Sequence, residues 1–235
     1  MNYEIFGDNL PAVTCHVKAG ETLMCTAGAM AWMEPGMEME TEGDSFGKMM
    51  GRIFSGDSMM HTHFTADKDG SITFAANYPG KIIPVELDGN TVIARQGAFL
   101  AADESVETDV YVQKKVSHAL FSGQGIVLQK FSGKGTVLIT VQGSASVFDL
   151  KEGESMTVSG GHLAMMDSTC TFDIKMLSGT KNILFGHEGF AVITITGPGK
   201  VVLQTMPSEN LSSELHVSSS SSSGSSSSSS SSSSD

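Results

Sequence analysis

Apolar side chains in this chain alternate with polar ones or gather in short β-branched runs, and they rarely recur at the three-and-four spacing of a helix. Thr136-Val137-Leu138-Ile139-Thr140-Val141 and Ala191-Val192-Ile193-Thr194-Ile195 are representative. Runs of this length, rich in Val, Ile and Thr and separated by glycines and acidic turns, predict strands. Many short strands at regular spacing predict a sandwich or barrel.

The pattern also repeats along the chain, which narrows the architecture. Val17-Lys18-Ala19-Gly20-Glu21-Thr22-Leu23 leads, eight residues after Gly20, to Gly28-Ala29-Met30-Ala31. Leu87-Asp88-Gly89-Asn90-Thr91-Val92 leads at the same distance to Gly97-Ala98-Phe99-Leu100-Ala101, and Leu150-Lys151-Glu152-Gly153-Glu154-Ser155-Met156 to Gly161-His162-Leu163-Ala164. Gly20, Gly89 and Gly153 are read as turns entering a strand, and Gly28, Gly97 and Gly161 as a turn or bulge at its far end. A second block recurs as Phe54-Ser55-Gly56, Phe121-Ser122-Gly123 and Phe185-Gly186-His187. Each is followed by a strand and then by Gly70, Gly135 or Gly199, where a hairpin is expected. The prediction is an all-β unit over residues 1–207, made of three pseudo-repeated modules at about 1–79, 80–142 and 143–207. Their fold is read as a β-sandwich or double-stranded β-helix.

Residues 208–217, with Leu211 and Leu215 four apart, predict a short helix or coil. From Ser218 the chain is serine broken only by Gly224 and ending at Asp235. Such a segment has no apolar surface to offset the entropy of ordering, so a disordered tail is expected.

Several short patterns bear on chemistry. His61-Thr62-His63 on a strand directs two imidazoles to one face, as in cupin-type metal sites, with Gly56 before and Asp67 after. The wider cupin pattern is incomplete: Gly197-Pro198-Gly199 is followed by Lys200 and apolar residues where a further histidine would stand. The other modules place Leu128 and Lys130, or Val192 and Thr194, at the two histidine positions. His61 and His63 are therefore weak metal candidates and read first as strand residues. Gly43-Asp44-Ser45 and Gly56-Asp57-Ser58 resemble a lipase start, but no Asp-x-x-His partner follows, so turn chemistry explains them. Gly43-Asp44-Ser45-Phe46-Gly47-Lys48-Met49 is one residue short of a phosphate loop and lacks the hydroxyl that meets magnesium. No catalytic residue, cofactor or metal is assigned.

Composition sharpens this picture in three ways. The 26 acidic residues against 14 Lys and Arg leave a net charge of −12, which repels phosphate backbones; Lys114-Lys115 is the only adjacent basic pair, so no nucleic-acid partner is expected. Cys15, Cys25 and Cys170 form no Cys-x-x-Cys pair and are read as buried thiols. No apolar run approaches the ~20 residues of a membrane span, and the N-terminal residues carry neither signal nor presequence pattern. The expected location is the cytoplasm, with the mitochondrion as alternative.

The chain resembles a known family at Pro79-Gly80-Lys81-Ile82-Ile83-Pro84-Val85-Glu86-Leu87, Gly97-Ala98-Phe99-Leu100-Ala101, Leu120-Phe121-Ser122-Gly123-Gln124-Gly125, Gly161-His162-Leu163-Ala164 and Gly197-Pro198-Gly199-Lys200-Val201-Val202-Leu203-Gln204-Thr205. This is the altered-inheritance-of-mitochondria protein family, whose domain is likened to the tryptophan-RNA-binding attenuator protein. The resemblance implies three pseudo-symmetric β modules and, through its mitochondrial members, a link to inner-membrane organisation. The function expected is a non-enzymatic β-scaffold with protein partners or self-association. The alternative is a small-molecule binding module in a cleft between repeats, and third comes a cupin-like metal enzyme.

Overall fold

The computed structural model describes residues 1–41, 61–111, 128–176 and 191–207. These residues form strands and two single 3-10 turns. Residues 1–79 supply β1 (Asn2–Phe6), β2 (Ala12–Val17), β3 (Thr22–Thr26), β4 (Met30–Met33), β5 (Met37–Thr41), β6 (His61–Ala66) and β7 (Gly70–Ala75). Residues 80–142 supply β8 (Gly80–Asp88), β9 (Val92–Arg95), β10 (Phe99–Asp103), β11 (Val106–Tyr111) and β12 (Leu128–Gln142). Residues 143–207 supply β13 (Ala145–Leu150), β14 (Ser155–Ser159), β15 (Leu163–Asp167), β16 (Thr171–Met176), β17 (Ala191–Thr196) and β18 (Gly199–Gln204). The predicted tail helix, the serine tail, Gly56, Gly43-Asp44-Ser45 and Lys114-Lys115 lie outside the described residues.

Among the described residues all the pairings are antiparallel, and the same set occurs in each third. β7 lies between β2 and β4, and β6 between β3 and β5. The C-terminal half of β12 lies between β8 and β10, and its N-terminal half between β9 and β11. β18 lies between β13 and β15, and β17 between β14 and β16. Two further pairings, β10 with β3 and β15 with β9, fuse successive thirds. Counting the two halves of β12 apart, the described residues make four sheets, the middle two continuous through β12: β1-β2-β7-β4, then β8-β12-β10-β3-β6-β5, then β13-β18-β15-β9-β12-β11, and last β14-β17-β16.

The sheets stack as layers with an apolar core between each neighbouring pair. Val13, Cys15, Ile72 and Phe74 of the first sheet meet Leu23, Cys25, Phe64 and Leu138 of the second. Met24, Phe99, Val137 and Ile139 of the second meet Val92, Ala94, Phe131 and Val202 of the third. Ile93, Met166 and Val201 of the third meet Val158, Phe172, Ile193 and Ile195 of the fourth. Because strand side chains alternate faces, Leu23 and Cys25 serve one core while Met24 serves the next. The inner strands must therefore be apolar on both sides, which is why Leu23-Met24-Cys25 and Val92-Ile93-Ala94 read as unbroken runs.

The connections at Gly70, Gly135 and Gly199 are not the hairpins expected from sequence. β6 and β7 lie in different sheets, as do β17 and β18, so the chain turns a corner between layers. At Gly135 there is no turn at all: β12 runs on for 15 residues, bent through Gly133 and Gly135 at φ +98° and +137°. The physical reason is that each strand already has two neighbours within its own sheet, so no ladder is left for a hairpin mate. A carboxylate fixes each corner. Glu34 accepts the Ser71 N–H at 3.0 Å, Asp103 the Thr136 N–H at 2.7 Å and Asp167 the Lys200 N–H at 2.8 Å.

Gly20, Gly28, Gly89 and Gly153 have positive φ, whereas Gly97 and Gly161 lie in the 3-10 turns Gln96–Ala98 and Gly160–His162. A bulge follows within β10 and β15, and also within β4. Pro84 interrupts β8 without cost because β8 is an outer strand whose only pairing among the described residues is with β12, so its missing N–H falls on the unpaired side. Among the described residues no helix is long and apolar enough to cross a membrane.

Candidate functional site

His61 and His63 stand on β6, in register with Thr26 and Met24 of β3. Sharing a face with Met24, they point toward the third sheet. His61 is buried, its ring edge-on to Phe99 with centroids 5.1 Å apart, and its Nε2 lies 3.5 Å from Nε2 of Gln129. His63 is half-buried and backbone-paired with Met24 and Glu40. Arg95↔Leu128 and Ser159↔Val192 correspond to Thr26↔His61, so Leu128 and Val192 occupy the place of His61. Asp67 is exposed past the end of β6, its N–H donating to the Gly36 carbonyl. Among the described residues no three His, Cys, Asp or Glu side chains converge as a metal set. Among the described residues the two imidazoles leave a zinc or nickel ion two ligands short of a tetrahedral protein set. Calorimetric titration with zinc or nickel is expected to give the same heat for the protein and for a His61→Ala/His63→Ala variant; a saturable heat lost in the variant would establish a site.

A different concavity was not visible in the sequence. A cleft of about 740 Å³ opens where the first third meets the second, lined by the β2–β3 turn, Asp69–Ser71 and Asp103–Ser105. Glu21, Glu34, Asp69, Asp103 and Glu104 face it, with Lys18 and the Met1 α-amino group as counter-charges. Lys18 Nζ is 2.8 Å from Asp69; that hydrogen bond raises the lysine pKa and lowers the aspartate pKa. Both side chains are largely exposed, so solvent screens the pair. The α-amino group lies 3.3 Å from Asp103. The sequence signal was indirect, since these residues sit on the turns that the glycine spacing marks but come from separate parts of the chain.

Residues 3–206 match the family described as mitochondrial biogenesis AIM24. The chain belongs to the AIM24 family. An uncharacterised protein of Streptococcus pyogenes serotype M6 is 29% identical over 213 residues, covering 87% of this chain and 85% of that protein. A crystal structure of a Streptococcus pyogenes protein superimposes with a TM-score of 0.79 at 26% identity, covering 92% of this chain and 98% of the other. The AIM24 match stops just short of residues 208–235.

The three cysteines of this AIM24 chain are free and buried. Burial pushes the Cys15 thiol up to about 12, helped by the nearby Asp103 carboxylate, and burial alone does the same to Cys25. Cys170 is raised too, by burial and by Asp167. A thiol whose folded pKa lies above its unfolded value keeps its proton when the unfolded chain has lost it. Stability is then unaffected below the unfolded pKa and falls as pH climbs from there toward 12. Thermal unfolding followed from pH 8 upward is expected to show a steeper alkaline loss for the wild type than for a Cys15→Ala/Cys25→Ala variant. Parallel curves would contradict the assignment. The same protonation makes these thiols poor nucleophiles.

Proposed function

We propose that this AIM24-family protein is a non-enzymatic interaction protein, a β-scaffold of three attenuator-like modules that presents its sheet edges to protein partners. One observation carries the reading. Of the exposed large apolar side chains among the described residues, Ile5 and Phe6 lie on β1, Trp32 and Met33 on β4, Met39 on β5, and Val147 and Phe148 on β13, with Leu10 and Tyr78 in loops. Each of these strands is the outermost of its sheet. Unpaired edges with exposed apolar side chains are aggregation liabilities unless a partner covers them. The recurrence of one pairing set in every third supports the three-module reading.

The test combines a thermal-shift screen of metabolites and metals with affinity capture. The scaffold reading expects no ligand class to raise the melting temperature reproducibly. It also expects a specific protein to be captured by the wild type and lost from a Val147→Lys/Phe148→Lys variant of equal melting temperature. A reproducible stabilisation by one metabolite class would overturn it. The cleft of about 740 Å³ favours the second reading, a small-molecule binder; its excess of carboxylates points to a cationic ligand. A cupin-like metal enzyme ranks third and rests on His61 and His63. The net charge of −12 supports the absence of a nucleic-acid partner; tight, salt-sensitive RNA retention on a filter would contradict it. We place the protein in the cytoplasm, with the mitochondrion as alternative in view of the family's description, a choice that subcellular fractionation decides.

A further inference from the structure

Two joints fuse the thirds of the chain, and they share one register. β10 meets β3 with Ala101 opposite Cys25, Ala102 opposite Met24 and Asp103 opposite Leu23. β15 meets β9 with Met165 opposite Ala94, Met166 opposite Ile93 and Asp167 opposite Val92. On its other side each joining strand carries the same bulge: Ala101↔Leu138 and Ala102↔Val137 in one, Met165↔Val202 and Met166↔Val201 in the other. β4 repeats that geometry as Trp32↔Thr73 and Met33↔Ile72. Trp32, Met33 and Glu34 thus occupy the places of Ala101, Ala102 and Asp103. Met156, Thr157 and Val158 of β14 occupy those of Leu23, Met24 and Cys25, because Ser155 faces Thr196 as Thr22 faces Thr65.

A third joint of this kind would need β4 on one side and β14 on the other. Both strands are present and both end a sheet. Among the described residues β4 pairs only with β7, and β14 only with β17. The exposures follow: Trp32 and Met33 are 57% and 37% exposed, where Ala101, Ala102 and Met166 are 0% and Met165 is 7%.

We propose that β4 of one chain adds antiparallel to β14 of a second copy, with Trp32 opposite Val158, Met33 opposite Thr157 and Glu34 opposite Met156. The occupant is another copy because the chain carries both halves of a joint it already makes twice. The joint covers Trp32 and Met33 together with Phe6, whose ring lies 6.2 Å from that of Trp32. It uses different surfaces on the two copies, so it leaves one free edge of each kind and grows head to tail, into a ring or a filament according to the rotation per step. Thr157 stands where Met24 and Ile93 stand in the internal joints, which makes this contact less apolar and the assembly reversible. The inference rests on the interaction reading for its purpose and on the registers alone for its geometry.

Sedimentation velocity of the full chain across the micromolar range tests it. Association that grows with concentration is expected, with Trp32→Lys and Thr157→Lys each weakening it by at least about tenfold, as central interface residues do. Both substitutions lie on exposed edge positions, and unchanged melting temperatures check the fold. Mixing the two variants is the decisive step. Trp32→Lys keeps a sound β14 and Thr157→Lys a sound β4, so together they form a one-to-one complex that stops growing. A wild type that stays monomeric at every concentration overturns the proposal. So does a Thr157→Lys variant that self-associates as the wild type does, since that is two-fold pairing through β4. Failure here is separable from failure of the scaffold reading: a stabilising metabolite would end that reading and leave sedimentation untouched.

Discussion

Phe131→Ala will cost about 3–5 kcal/mol of stability, the range for deleting a large buried aromatic side chain. Phe131 is fully buried on β12, its ring centroid 5.4 Å from that of Phe99, in the core between the second and third sheets. Those sheets close on it from both sides through strands that also support the outer cores, so the surroundings have little freedom to collapse into the void. For a chain of this length the loss corresponds to a fall in melting temperature of roughly 6–20 °C. Phe148→Ala is the matched control. It removes the same atoms from an exposed position on β13 and should stay within about 0.5 kcal/mol of wild type. Equal costs at the two positions would show that the middle core contributes no more than the surface.

Gly80→Ala is expected to be nearly as damaging, at about 3 kcal/mol, the upper end for an overpacked site. A Cβ on Gly80 would stand 1.8 Å from the Val141 carbonyl oxygen and 3.1 Å from the Gln142 Cα. These are backbone atoms of the strand that β8 pairs with, so nothing flexible can give way; the edge must lift off the ladder. Gly20→Ala separates steric from conformational cost. Gly20 has φ +83° with no atom within 4 Å of an added Cβ, so its penalty is the left-handed backbone alone, about 1–2 kcal/mol. Denaturant midpoints for both variants should rank Gly80→Ala below Gly20→Ala. The reverse order would mean that β8 pairs loosely.

Much of the strand content was legible because it depends on local signals. Val, Ile and Thr runs and the glycines that end them are read within a few residues, and β3, β9, β12, β14 and β17 fall where those runs predict. The layering was not legible. Whether the chain at Gly70 turns back on itself or crosses to another sheet is decided by the partners β7 finds in β2 and β4, some 40 to 60 residues away. Gly133-Lys134-Gly135 looks like a turn, and only β8, β9, β10 and β11 together keep it extended within β12. For His61 the spacing told which residues share a face but not what stands opposite. Phe99 and Gln129 come from strands that pair with β12 or form it, so their approach to β6 follows from tertiary layering. The acidic cleft escaped notice for the same reason, its carboxylates being ordinary turn residues until two thirds of the chain meet.

The sharing of each inner sheet between two cores sets the limit on dissection. Residues 80–142, cut out as a fragment, would bare Leu100 and Leu138 on one side and Ile93 and Leu128 on the other, groups that pack against the flanking thirds. Hydrogen exchange in the native protein should accordingly find the slowest amides of all three thirds opening together. However the chain arose, its thirds have become interdependent, and a protein engineer could not shuffle them as separable cassettes.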